Sequence, residues 1–124
     1  MRIKLMYLHI KKLFKYLNYV KNKYNTNIII FYHPTGTLKS DGGIYFTHTK
    51  MLDVFKTEAK INDIIFVDMT NSFMKMFYES YHAAHGFTTG EIEVGHLNAH
   101  GHASVADSLY RTIIKLEEDD KLCQ

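Results

Sequence analysis

The sequence predicts a mixed α/β fold built on a parallel sheet, and three observations carry that prediction. Helix-like and strand-like segments alternate along the 124 residues in the order helix, strand, helix, strand, helix, helix. The two strand-like runs, Ile28-Ile29-Ile30-Phe31-Tyr32 and Ile64-Ile65-Phe66-Val67, are continuously apolar and mostly β-branched, as strands buried on both faces are. A helical segment lies between them, which is the arrangement of a right-handed crossover joining parallel strands.

Each element has its own signal. The first helix is expected over residues 3–24, where Ile10, Leu13, Phe14, Leu17, Val20 and Tyr24 recur at helical spacing and make one apolar stripe. Asn25-Thr26-Asn27 breaks it before the first strand. His33-Pro34-Thr35-Gly36 stops that strand, and the stretch through Asp41-Gly42-Gly43 carries few apolar residues, as a flexible or substrate-facing loop does. A second helix is expected over residues 45–59 with Met51, Leu52, Phe55 and Ala59 inward, and Asn62-Asp63 ends it before the second strand, so strand, helix and strand fill residues 27–68. Thr70 is placed to cap a third helix, with Met69 and Met74 as a hydrophobic staple and Phe73, Met76 and Phe77 as the buried stripe. A loop from Tyr81 to Glu93 follows, then a last helix from Asn98 to about residue 118. Glu117, Glu118, Asp119 and Asp120 oppose the dipole at its C-terminal end, so fraying is expected there.

Composition narrows the classes of function. An apolar fraction of 46% with 14% aromatic residues belongs to a folded chain. A single cysteine, Cys123, excludes an internal disulfide framework and fits a reducing, cytoplasmic setting. No uninterrupted apolar run is long enough for a membrane span, and Lys11, Lys12 and Lys15 interrupt any signal-peptide core. Charge is distributed unevenly: residues 1–24 hold seven basic side chains and no acid, and the remainder holds eight basic against thirteen acidic, a balance of −5. A basic amphipathic helix of this kind suits a polyanion or an anionic surface. The apolar stripe on the same helix instead points to a helix docked on a sheet with its lysines solvated, so neither nucleic acid nor membrane is the expected partner.

Function concentrates in Glu93-Val94-Gly95-His96-Leu97-Asn98-Ala99-His100-Gly101-His102. A carboxylate three residues before a histidine can accept the imidazole Nδ1–H and leave Nε2 free to take a proton from a hydroxyl. Asn98 is a good N-cap for the helix that follows. An acid, two residues, His-Leu-Asn, two residues, Gly-His and a helix resemble the last motif block of the SGNH (GDSL-type) hydrolases. In that family the histidine is the general base of a serine esterase and an aspartate three residues earlier orients it; here Glu93 occupies the aspartate position. The resemblance spans roughly residues 10–116, with motif specificity between 93 and 109. It implies a partial flavodoxin-like three-layer α/β/α fold, made of the C-terminal strands and helices. It also implies His96 as base, Glu93 as its orienter and an ester as substrate. By position alone, His82, His85 and Phe87 in the preceding loop are expected to border that substrate. No cofactor and no metal is implied.

The remaining blocks of that family have no counterpart here. There is no Gly-Asp-Ser and no Gly-x-Asn-Asp, so the nucleophile and the glycine and asparagine of the oxyanion hole cannot be placed. Ser72, Ser104 and Ser108 fall in predicted helices, and Ser40 and Ser80 lack the strand–turn–helix setting of an activated serine. Two parallel strands with open edges also make an incomplete sheet. The expectation is a chain that resembles the C-terminal half of such a hydrolase, inactive alone, with its N-terminal half elsewhere or a second copy paired along the open edges. Two other classes stay open. His82 with His85, and His96 with His100 and His102, are spaced for a histidine-rich metal site with Glu91 or Glu93 as a further ligand. A non-catalytic interaction module using the basic first helix is the third.

Overall fold

The computed structural model describes residues 2–86 and 91–122. Its elements are α1 (Arg2–Tyr24), β1 (Ile29–Tyr32), β2 (Gly36–Leu38), β3 (Ile44–Phe46), α2 (Lys50–Ile61), β4 (Ile65–Asp68), α3 (Thr70–Ser80) and α4 (Ala99–Leu122). The fold is mixed α/β, as predicted. Contacts divide it into two compact units, one of residues 1–32 and 47–68, the other of residues 33–46 and 69–124.

The first unit is two helices and a two-stranded parallel sheet. β1 and β4 pair from Ile29 with Ile65 through Tyr32 with Asp68. Both helices end in the same way, and the sequence dictates it. Asn25 and Asp63 adopt left-handed φ values of 47° and 53°, a conformation that Asn and Asp tolerate better than most side chains. Thr26 N–H then reaches back to Lys21 O at 3.1 Å, and Ile64 N–H to Ala59 O at 2.9 Å, the six-to-one bond of a Schellman cap. The second cap carries Ile64 and Ala59 into the apolar core beside Ile10 and Phe14. Lys21 joins the two caps by donating to the Asp63 carbonyl at 3.0 Å and to its carboxylate. Phe14 is fully buried and meets Phe55 edge-on at 5.7 Å. Of the predicted stripe on α1, Ile10 and Phe14 are buried, whereas Leu13 and Tyr24 are 46% and 65% exposed.

The second unit departs from the sequence expectation in its first segment. Residues 36–46 form an antiparallel hairpin, Gly36 opposite Phe46 and Leu38 opposite Ile44, where a flexible loop and the start of a helix were expected. Gly42 supplies the left-handed φ of 83° that the turn requires, and Asp41 accepts the Gly43 N–H at 2.9 Å. Gly36 has no room for a side chain, because a Cβ there falls 2.6 Å from Ile44 Cδ1. Strands of three residues leave too short an alternating pattern to register as β structure. Helix α2, in the first unit, accordingly begins at Lys50, and Thr49 caps it by accepting from Leu52 N–H at 3.2 Å.

Helix α3 buries Phe73 and Phe77 as predicted, with Met69 fully buried at its start. Its N-cap is Met69 with no side-chain cap bond, one residue before the predicted Thr70. Tyr78 on its other face ties the helix to the hairpin, its hydroxyl donating to Ile44 O at 3.3 Å and accepting from Ile44 N–H at 3.4 Å. Helix α4 continues to Leu122 through the acidic segment, where Leu, Glu and Lys are strong enough helix formers to offset unfavourable end charges. Among the described residues no helix is long and apolar enough to cross a membrane.

Candidate functional site

The site is assembled in the second unit from two loop segments and the hairpin. Residues 84–86 and 93–98 run antiparallel: Gly86 N–H donates to His96 O at 3.1 Å, Glu93 N–H to His85 O at 3.1 Å, and Asn98 N–H to Ala84 O at 2.9 Å. Asn98 has a double role that its side chain explains. Its Oδ1 accepts the N–H groups of His100 and Gly101, both at 3.0 Å, and caps α4 as predicted. Its Nδ2 donates to Ala83 O at 2.8 Å and pins the facing loop. Gly101 is a glycine because a Cβ there collides with the Ala84 carbonyl and with Leu97.

Glu93 is the hub. Its side chain is 2% exposed, and three groups from two segments, Gly36 and Ala84-His85, meet it. Ala84 N–H donates to Oε1 at 2.7 Å, Gly36 N–H to Oε2 at 2.9 Å, and His85 Nδ1 lies 3.1 Å from Oε2. Two of the three partners are backbone N–H groups, which donate to the two carboxyl oxygens. An ionised Glu93 accepts from His85 Nδ1–H, and the neutral ring then has Nε2 as its acceptor. His33 Nδ1 lies 3.4 Å from that Nε2. His85 is itself 2% exposed and packs edge-on against Phe73 at 5.7 Å, whereas His33 is exposed. A carboxylate, a buried imidazole and an exposed imidazole therefore stand in line. Glu93 holds this position at a left-handed φ of 65°. That conformation is costly for a residue with a long side chain, and such strain clusters at functional sites.

The structure brings the predicted residues together in a different pairing. Glu93 orients His85, and its carboxylate partners do not include His96. The physical reason is the loop: the left-handed turn at Glu93 and the bridge between His85 and Leu97 send the Glu93 side chain inward and leave His96 exposed. His82 is exposed and stacks on His100, ring centroids 3.7 Å apart and 8° from parallel. His82, His85 and His100 line a cleft of 830 Å³ together with Leu38, Phe77 and Tyr81. Phe87 lies outside the described residues. Ser72, Ser104 and Ser108 line a second, smaller opening of 440 Å³, and Ser80 donates to Met76 O at 2.7 Å. Among the described residues no serine is hydrogen-bonded to an imidazole, and no three His, Cys, Asp or Glu side chains are grouped to hold a metal ion.

His33 is absent from the sequence expectation because its partner lies 52 residues away. The available signal was its place directly after a buried strand and before Pro34, a segment forced into extended backbone. No family model matches this chain, nor does any curated protein or solved structure.

Proposed function

We propose that the chain is the C-terminal part of an SGNH-type acyl-ester hydrolase, supplying a carboxylate-polarised imidazole to a serine carried outside these 124 residues. The observation that carries this reading is the buried Glu93–His85 pair at 3.1 Å, held by two further backbone donors on the same carboxylate. A carboxylate so fixed sets the imidazole tautomer and stabilises the imidazolium that forms when a proton is taken up. In this reading the β1–β4 parallel pair belongs to a flavodoxin-like three-layer sheet. Its unpaired edges are completed by the missing half or by a second copy of the chain. A second assignment of the base keeps to the motif: His96 is exposed beside the Asn98 cap of α4, where the family resemblance puts the base, and Glu93 then acts on it only by anchoring its loop.

The missing hydroxyl can be supplied in trans. With p-nitrophenyl acetate as acyl donor and trifluoroethanol as acceptor, the full chain is expected to form trifluoroethyl acetate faster than buffer alone. His85→Ala should remove most of that transfer if Glu93–His85 is the base, and His96→Ala should remove it if the motif histidine is. Equal transfer by the parent chain and both variants would overturn the hydrolase reading.

A further inference from the structure

His85 is 2% exposed in the wall of the cleft, and the tautomer that Glu93 favours on it is passed outward. In the neutral tautomer with Nδ1–H directed at Glu93, His85 Nε2 is the acceptor for a His33 Nδ1–H 3.4 Å away, and His33 Nε2 then carries a lone pair on an exposed ring. We propose that His33 Nε2 is itself a nucleophile for activated acyl esters, so that the line Glu93–His85–His33 is an acyl-transfer site that needs no serine. The inference rests on the hydrolase reading for its substrate class, and on geometry alone for the reacting atom.

The chemistry balances with an aryl ester and water as the only reactants. His33 Nε2 attacks the acyl carbon, the carbon–oxygen bond breaks and the phenolate leaves. His33 Nδ1–H passes its proton to His85 Nε2, giving a neutral N-acyl imidazole and a His85 imidazolium facing the Glu93 carboxylate. Water then adds to the acyl carbon and the carbon–nitrogen bond breaks. His85 returns its proton to His33 Nδ1, and the proton from water neutralises the phenolate through solvent. The proton transfers within the protein run between neighbouring rings, so no charge is left without a partner inside the unit.

The protein contains its own control. His48 is also exposed, but its Nε2 lies directly on a carboxylate, 2.8 Å from Asp53 Oδ1, with no second imidazole between acid and surface. The full chain treated with p-nitrophenyl acetate, quenched and mapped by mass spectrometry should carry its acetyl group on His33. Acetylation there should be about a hundredfold or more faster than at His48, the low end of what positioned proton acceptors contribute. His33→Gln removes the adduct. His85→Phe keeps a ring in the same packing site and should slow acetylation of His33 to the His48 rate, and Glu93→Gln provides a second route to the same loss. Acetylation of any other residue as fast as that of His33, or a His33 rate unchanged in His85→Phe, overturns the proposal. Transfer to trifluoroethanol without acetyl-His33 overturns it while sparing the hydrolase reading. Acetyl-His33 without transfer supports it and overturns that reading.

Discussion

The helix–strand unit and the loop-rich unit bury a carboxylate each, and they do so in opposite ways. Glu58 lies on α2 with its residue 7% exposed, and its charged partner is the half-exposed Lys11 at 4.0 Å. The surrounding structure is fixed without it, by Ile10, Phe14, Ala59 and Ile64 and by two Schellman caps. Glu93 is 2% exposed and holds Gly36, Ala84 and His85 at once. There the carboxylate is the element that fixes the backbone, because residues 83–86 and 93–98 have few apolar side chains to bury. A surface ion pair adds little to a packed core, whereas a desolvated acid that loses or gains a donor shifts the whole local structure.

The largest effect should come from removing that hub. Glu93→Ala leaves two backbone N–H groups and the His85 ring without their acceptor. It should cost about 3–5 kcal/mol in urea unfolding, because each buried donor left without an acceptor costs about 1–3 kcal/mol. Glu58→Ala, the matching change in the other unit, should cost about 1 kcal/mol or less, as half-exposed pairs do. Equal losses at the two positions would break the comparison and make Glu93 an ordinary buried acid.

The contrast also explains what was legible in the sequence. In the helix–strand unit the determinants are local: apolar residues at helical spacing on α1, Asn25 and Asn62-Asp63 as stops, and two β-branched runs that pair in parallel. Period and turn chemistry act over a few residues, so a single sequence displays them. The loop-rich unit depends on partners far apart in the chain. Glu93 meets Gly36 across 57 residues, and His85 meets His33 across 52. Nothing in the spacing of Glu93 and His96 reveals that a left-handed turn at Glu93 directs its carboxylate away from the nearer histidine. The Asn98 cap was legible for the same reason as the helix stops: the donors it serves follow within three residues.

Asn98 sharpens the comparison at intermediate size, because it combines a local and a long-range role. Loss of the cap alone is worth about 1 kcal/mol, and the bond from Nδ2 to Ala83 O adds up to about 1 kcal/mol more. Asn98→Asp keeps the capping oxygen and removes that donor, so it should recover the first contribution and not the second. Thermal unfolding of the parent chain, Asn98→Asp and Asn98→Ala separates the two. An Asn98→Asp midpoint equal to the parent's would mean that the link between the loops contributes nothing.

The smallest stability effect is expected at the residue the motif singles out. His96 is exposed, and among the described residues its role in the loop is carried by its backbone, whose carbonyl accepts the Gly86 N–H. His96→Ala keeps that bond and should change stability by no more than about 0.5 kcal/mol, the range of surface substitutions away from special features. A residue that does so little for folding is free to be judged by chemistry alone. If His96→Ala is silent in unfolding yet abolishes acyl transfer, the motif histidine is the base and Glu93 serves it only through the loop. If it is silent in both, the reactive imidazole lies on the other side of the carboxylate, at His85 and His33, and the left-handed turn at Glu93 is what moved it there.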